Sequence, residues 1–413
     1  MRRTIYLKVA KTLALAIFAA GSAWAASKYK VLYNFQGGKD GIDPSAALVS
    51  DANGNLYGVT AGGGLGGDGG CGTVFELKHG KSGWIHEVLF RFPGNGDDGC
   101  YPYANLAFDA NHNLYGTTTG GKKGGFGTVF ELMPVGGKWK VSVVHRFTGG
   151  DDGEYPSSGV VLDSGGNLFG TAGGGVSCCG VVYELTPLAG GNWNEQILHS
   201  FSGTDGANPY GLALDSAGNL YGTTSRGGTY GEGVAFELSP NSGGGWDEST
   251  IYNFQGFQDG AGPEPLAFNG PNLYGATVVG GSGDYGTIFE LKPGANGWTH
   301  IVLYSFAGNK DGRYPDSPFV FDKLGNLYGS TGGDGGCVHG YHWQCGNVFE
   351  LKRQSDHQWK LQVLHTFTGG KHGSGPSMPI FDGEGNLLGV TGAGGNCKKG
   401  YGYYCGVAFE ITP

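Results

Sequence analysis

Past residue 30 the chain alternates short apolar runs with stretches of Gly, Asp, Asn and Pro, and the alternation has a long period. One stretch, Ile197 onward, reads ILHSFSGTDGANPYGLALDSAGNLYGTTSRGGTYGEGVAFELSP and then GGGW. The same order of signals occurs seven times. Its Asn-Leu step recurs at Asn55, Asn113, Asn167, Asn219, Asn272, Asn326 and Asn386, at spacings of 58, 54, 52, 53, 54 and 60 residues. The Phe-Glu-Leu step recurs around Glu76, Glu131, Glu184, Glu237, Glu290, Glu350 and Glu410. Trp84, Trp139, Trp193, Trp246, Trp298 and Trp359 mark the end of six units.

Each unit predicts four strands, because its runs are short, β-branched or aromatic, and bounded by turn residues. Strand a is like Gly211 to Leu214, strand b runs from Asn219 to Thr224, strand c from Gly233 to Leu238, and strand d from just after the Trp to a closing Phe. The start of strand a is small or Pro throughout, at Ala46, Ala104, Gly159, Gly211, Pro265, Pro318 and Pro379. That suits a strand crowded against a narrow axis. The expectation is an all-β, seven-bladed β-propeller with four-stranded blades, formed by residues 26–413 as one domain. Its units begin near 31, 88, 143, 197, 251, 302 and 363. The first strand after the leader has strand-d character (Val31 to Phe35) and the last run is a strand c (Val407 to Ile411). Pairing them closes the ring and removes the exposed edges that invite aggregation. A β-helix is the competing repeat fold, but its coils are far shorter than about 53 residues.

The order F-x-G-x-x-D-G-x-x-P, then G-N-L-Y-G-T-T, G-G and G-x-V-F-E-L resembles the bacterial tandem-repeat family called GloVer, a group of choice-of-anchor secreted proteins. The resemblance spans about residues 31–413. It implies export and often a C-terminal surface anchor, although no sorting tail follows Pro413 here. It implies no enzymatic activity and no catalytic residues.

Composition adjusts this picture in three places. Glycine, at 86 of 413 residues, is roughly three-fold above the usual 7%, and 13% aromatic content argues against disorder. Arg2 and Arg3, the apolar run Thr12 to Gly21, and Ala23-Trp24-Ala25 read as a signal peptide over residues 1–25. The apolar run is too short to span a bilayer. Cleavage removes four cations and takes the net charge from −9 to −13, which disfavours nucleic acid. The expected product is a secreted, extracellular or periplasmic monomer with no membrane span.

Eight cysteines in an exported chain read first as disulfides. Cys71, Cys179, Cys345 and Cys405 share one unit position, just before the Gly that opens strand c. Position pairs Cys337–Cys345, Cys397–Cys405 and Cys71–Cys100, and leaves Cys178–Cys179 as a vicinal bond. No metal site and no cofactor are expected, because C-x-x-C, H-E-x-x-H, P-loop and nucleophile-elbow patterns are all missing.

The acids and histidines are repeated, and repetition favours structure over catalysis. The a–b turn acids (Asp51, Asp109, Asp163, Asp215, Asp322, Asp382) fit a hairpin turn. The d–a loop acids (Asp40, Asp98, Asp152, Asp205, Asp259, Asp311) fit either a turn or a cation-collecting ring near the axis. The strand-c Glu fits a hydrogen-bonding group between blades. His145, His199 and His365 stand where other units carry Tyr or Phe, so they read as aromatic fillers. His342 and His372 break the pattern. The longest b–c loops, in units six and seven, carry Tyr341, His342, Trp343, Tyr401, Tyr403 and Tyr404. With His372 nearby they form the candidate ligand patch, for a glycan or a surface protein. The expected function is a binding scaffold acting through its b–c and d–a loop face. An extracellular polysaccharide hydrolase or lyase, and a structural surface protein, are the alternatives.

Overall fold

The computed structural model describes residues 27–65, 70–81, 83–94, 98–121, 124–333, 345–356, 358–397 and 405–413. It is a seven-bladed β-propeller. Each blade is an antiparallel sheet ordered a-b-c-d from the axis outwards. Blade 4 is representative, with strands Ala207–Leu214, Leu220–Arg226, Val234–Pro240 and Trp246–Asn253. Among the described residues, helix is limited to single 3-10 turns such as Gly38–Asp40 and Gly370–His372.

The ring closes as the sequence predicts. Strand Lys28–Asn34 pairs with Val407–Thr412, from Lys28 opposite Thr412 to Asn34 opposite Val407. It thereby supplies the outer strand of blade 7. The core lies between blades. The Phe that ends each strand d is buried completely or nearly so, at Phe35, Phe92, Phe147, Phe201, Phe254, Phe306 and Phe367. Burying one such side chain contributes about 1.5–3 kcal/mol. The strand-d Trp reaches across the joint. Trp139 meets Tyr57, Trp193 meets Tyr115, and Trp298 meets Tyr221, all edge-on at 5.9–6.2 Å.

A second joint repeats nearer the axis. The Gly before strand c (Gly72, Gly127, Gly180, Gly233, Gly286, Gly346, Gly406) has φ between 72° and 102°. A Cβ there would stand 2.2–2.8 Å from Cδ of a Pro on the next blade: Pro102, Pro156, Pro209, Pro263, Pro315, Pro376 and, across the closure, Pro44. Only Gly meets both demands. The residue just before that Pro also has positive φ in every blade, 49–64°, although five of the seven are not Gly: Asp43, Tyr101, Tyr155, Asn208 and Tyr314. The cause is visible in six blades. The backbone N–H of this residue donates to the carbonyl of the residue preceding the joint Gly, at 2.6–3.1 Å, as Tyr101 does to Cys71.

The repeated acids resolve into local bonds. Asp51 Oδ1 accepts from the N–H groups of Asn53 and Asn55, both at 2.9 Å, and the arrangement recurs at Asp109, Asp163, Asp215, Asp322 and Asp382. The d–a acids cap their own loops. Asp40 accepts from the Gln36 N–H at 2.7 Å, and Asp311 from the Ala307 N–H at 2.8 Å. They also bind the outer strand, as Asp259 does Tyr252 Oη at 2.8 Å. Thus they hold turns near strand d and do not ring the axis. The strand-c Glu differs from expectation: its partner lies within its own blade. Tyr57 donates to Glu76, Tyr115 to Glu131, Tyr221 to Glu237, Tyr274 to Glu290 and Tyr328 to Glu350, at 2.7–3.1 Å. Strand pairing sets each Tyr directly opposite its Glu, as Tyr221 opposite Glu237, so the nearest donor is intramolecular to the sheet.

Cys71 is joined to Cys100, Cα atoms 4.4 Å apart, which staples the b–c loop of blade 1 to the d–a loop entering blade 2. Cys397 is joined to Cys405. Cys345 is disulfide-bonded, and its expected partner Cys337 lies outside the described residues. Cys178 and Cys179 correct the sequence reading. They are free thiols with sulfurs 2.8 Å apart. Adjacent Cα atoms stand about 3.80 Å apart across a trans peptide, short of the usual 4.4–6.8 Å span of a disulfide.

Candidate functional site

The d–a and b–c loops share one face, and the axis opens there into a cavity of about 430 Å³. The residue after each joint Pro lines it: Ser45, Tyr103, Ser157, Tyr210, Glu264, Asp316 and Ser377. The positive φ of the preceding residue and the rigid Pro between them aim this position inward. Uncommon backbone geometry repeated around one opening is a mark of positions held for function.

The seven side chains differ. Ser45, Ser157 and Ser377 are small. Tyr103, 46% exposed, stands at the mouth. Glu264 and Asp316 occupy neighbouring blades 5 and 6. Burial, reinforced by the Asp316 charge, pushes Glu264 up to about 8. Burial alone pushes Asp316 up to about 7. One blade from Ser377, Asp43 is raised to about 6 by burial. Near neutral pH the wall therefore holds carboxyl groups able to donate as well as accept hydrogen bonds. On the d–a loops, beyond the cavity lining, Tyr101 and Tyr155 are 38% and 48% exposed, and the Arg313 guanidinium lies 5.3 Å over the Tyr314 ring. The chemistry offered is flat aromatic faces beside hydroxyl and carboxyl groups.

Of the residues singled out from sequence, Tyr341, His342, Trp343, Tyr401, Tyr403 and Tyr404 lie outside the described residues. His372 is exposed in the 3-10 turn Gly370–His372. Its carbonyl accepts from Tyr29 Oη at 2.6 Å, and its ring meets Tyr29 at 5.9 Å. That places it beside the outer strand, and it does not line the cavity. His365 stacks on Tyr29 at 3.9 Å, an aromatic filler as expected. The cavity residues themselves were missed. Their types vary from unit to unit, so only their fixed offset from a repeated Pro could have found them.

Fold and cavity define a propeller with an axial site on its loop face. The chain belongs to the Gloeobacter/Verrucomicrobia repeat family, whose model matches residues 17–175, 66–270 and 247–413. No curated protein matches the sequence significantly. Among solved structures, the chain is similar to the periplasmic gluconolactonase PpgL of Pseudomonas aeruginosa, at 18% identity and TM-score 0.51, over 78% of this chain and 85% of that one. It is also similar to a hypothetical selenium-binding protein of Sulfolobus tokodaii, at 8% identity and TM-score 0.52, over 81% and 85%. Hydrazine synthase of Kuenenia stuttgartiensis aligns at 13% identity and TM-score 0.53, over 84% and 92%. At these identities the likeness is one of fold.

Proposed function

We propose that this protein is an exported binding scaffold whose loop face takes a glycan at the axial mouth. The observation carrying the reading is the post-Pro ring, which sets Tyr103 and Tyr210 beside Ser, Glu264 and Asp316 around one cavity. Aromatic rings offer an apolar face to sugar C–H groups, and a few convergent polar groups fix orientation, as in small-molecule sites generally. The b–c loops of units six and seven, whose Trp343 and Tyr403 lie outside the described residues, are the proposed extension of this surface on sequence grounds. The two joined cysteine pairs suit an oxidising compartment, in keeping with the leader expected over residues 1–25.

The test is glycan-array and pull-down binding by the mature protein. Tyr103→Ala combined with Tyr155→Ala should weaken binding at least 10-fold with an unchanged melting temperature. Trp343→Ala combined with Tyr403→Ala separates the loop patch from the mouth. A parent that retains no glycan, or two double variants that bind as the parent does, would overturn the reading.

One observation favours a polysaccharide hydrolase or lyase as the second reading. Glu264 and Asp316 are neighbouring carboxyls with values raised towards neutrality, the property of general acids. Under that reading Glu264→Gln lowers turnover about 10²-fold or more, measured as released reducing ends.

A further inference from the structure

The outer strands of adjacent blades meet in a set of equivalent joints. At the first, Tyr33 stacks on His86 at 4.5 Å, and His86 Nδ1 lies 3.0 Å from Asp40. At another, Tyr252 stacks on His300 at 4.2 Å. At the joint of blades 2 and 3 both partners change. His145 takes the Tyr position and Glu195 takes the His position, while Asp152 remains. His145 Nε2 stands 3.2 Å from Glu195 Oε1 and 3.4 Å from Asp152 Oδ2. The next joint carries the same three types, His199, Asp205 and Glu248, again with ligand atoms within 4.8 Å of one another.

The first cluster is not a satisfied ion pair. His145 Nε2 and Glu195 Oε1 are both sealed from solvent, and neither makes a hydrogen bond. Ring nitrogens are orphaned at His86, His300 and His365 too, but those rings stack on tyrosines. Among the described residues, only His145 faces an equally orphaned carboxylate oxygen. The separations also fit a different partner. Two ligands bound at about 2.05 Å with tetrahedral angles stand about 3.3 Å apart, whereas charged N–H···O bonds run about 2.7–2.9 Å. His199 and Asp205 at 2.9 Å make such a hydrogen bond.

We propose that His145, Asp152 and Glu195 form an inter-blade site for a divalent transition-metal ion such as Zn²⁺, with a fourth position open. The cluster at His199, Asp205 and Glu248 is a second, weaker site, because binding there gives up a formed hydrogen bond. Both lie at the outer strands, apart from the axial cavity. An ion at the first site would tie blade 2 to blade 3, and one at the second would tie blade 3 to blade 4, by bridging their outer strands.

The experiment is calorimetric titration of the chelator-treated mature protein with Zn²⁺, followed by Co²⁺ titration read by visible absorption. The expected result is one tighter and one weaker equivalent, with a melting temperature that rises with Zn²⁺ concentration. His145→Tyr with Glu195→His rebuilds the Tyr33–His86 pairing. This variant should fold, lose the tighter equivalent and keep the weaker one. Glu195→Gln serves if that pair fails to fold, and should weaken the tighter equivalent at least 10-fold. No saturable binding by the parent, or an undiminished tight equivalent in Glu195→Gln, overturns the proposal.

Discussion

Glu264 and Asp316 hold the same position on neighbouring blades, one residue after the joint Pro, and the Asp316 charge adds to burial in raising the reluctance of Glu264 to ionise. Both values in the folded state exceed those of an unfolded chain, about 3.9–4.3. The folded protein therefore binds more protons than the unfolded one between pH 4 and 8. Stability must fall as pH rises across that window. Glu264→Gln removes part of the slope. It should stabilise the protein at pH 8 by ~1–2 kcal/mol, about 1–3 °C in melting temperature for a domain of this size, and change little at pH 4. Equal melting shifts at both pH values would contradict the assignment.

The closing joint separates strain from collision. Gly406 has φ +82°, and a Cβ would stand 2.1 Å from the Thr391 carbonyl oxygen and 2.7 Å from Pro44. Gly385 has φ +87° with nothing within 4 Å. Gly385→Ala should cost ~1–2 kcal/mol from backbone conformation alone. Gly406→Ala should cost ~1–3 kcal/mol more, because the joint must spread. Urea unfolding of the two variants checks the difference, and equal losses would refute the joint.

Ring closure rests on Lys28–Asn34 and the Phe that follows it. Phe35→Ala should cost ~3–5 kcal/mol, as emptying a fully buried ring site does. Deleting residues 27–36 should go further and expose the edge of Val407–Thr412, giving oligomers on size-exclusion chromatography. A monomeric deletion variant with the parent's melting temperature would show that closure is dispensable.

Thiol titration tests the cysteine arrangement. The unreduced, denatured protein should release two thiols, those of Cys178 and Cys179. Cys100→Ser should cost ~2–4 kcal/mol by cutting the staple to Cys71. Four thiols would mean that Cys345 is not joined to Cys337.

Blade number, strand order and closure were legible in the sequence because each rests on repetition. A Trp, a Tyr-Gly and a Phe-Glu-Leu recurring at fixed order need one account, not seven. The same repetition made the turn role of Asp51 and its equivalents readable. Contacts between units were harder. Nothing local says that Glu76 meets Tyr57 of its own blade, since that pairing depends on register. His145 and Glu195 lie 50 residues apart on different blades, and their meeting follows only from how two outer strands pack. The cavity ring escaped for a different reason. Ser45, Tyr103 and Glu264 share a position but no chemistry, so a search for likeness passes over them.

The Gly–Pro joint makes a further separation of roles. Each blade docks through one Gly and one Pro, and the residue that meets the channel comes immediately after that Pro. Docking hardware is thus uniform while the displayed residue is free. A lineage carrying this plan can exchange a Tyr for a Glu or a Ser at the opening one unit at a time, and the seams between its modules need no re-engineering. Variety at the mouth and constancy at the seam are then two outcomes of a single turn, inherited together each time a unit is copied.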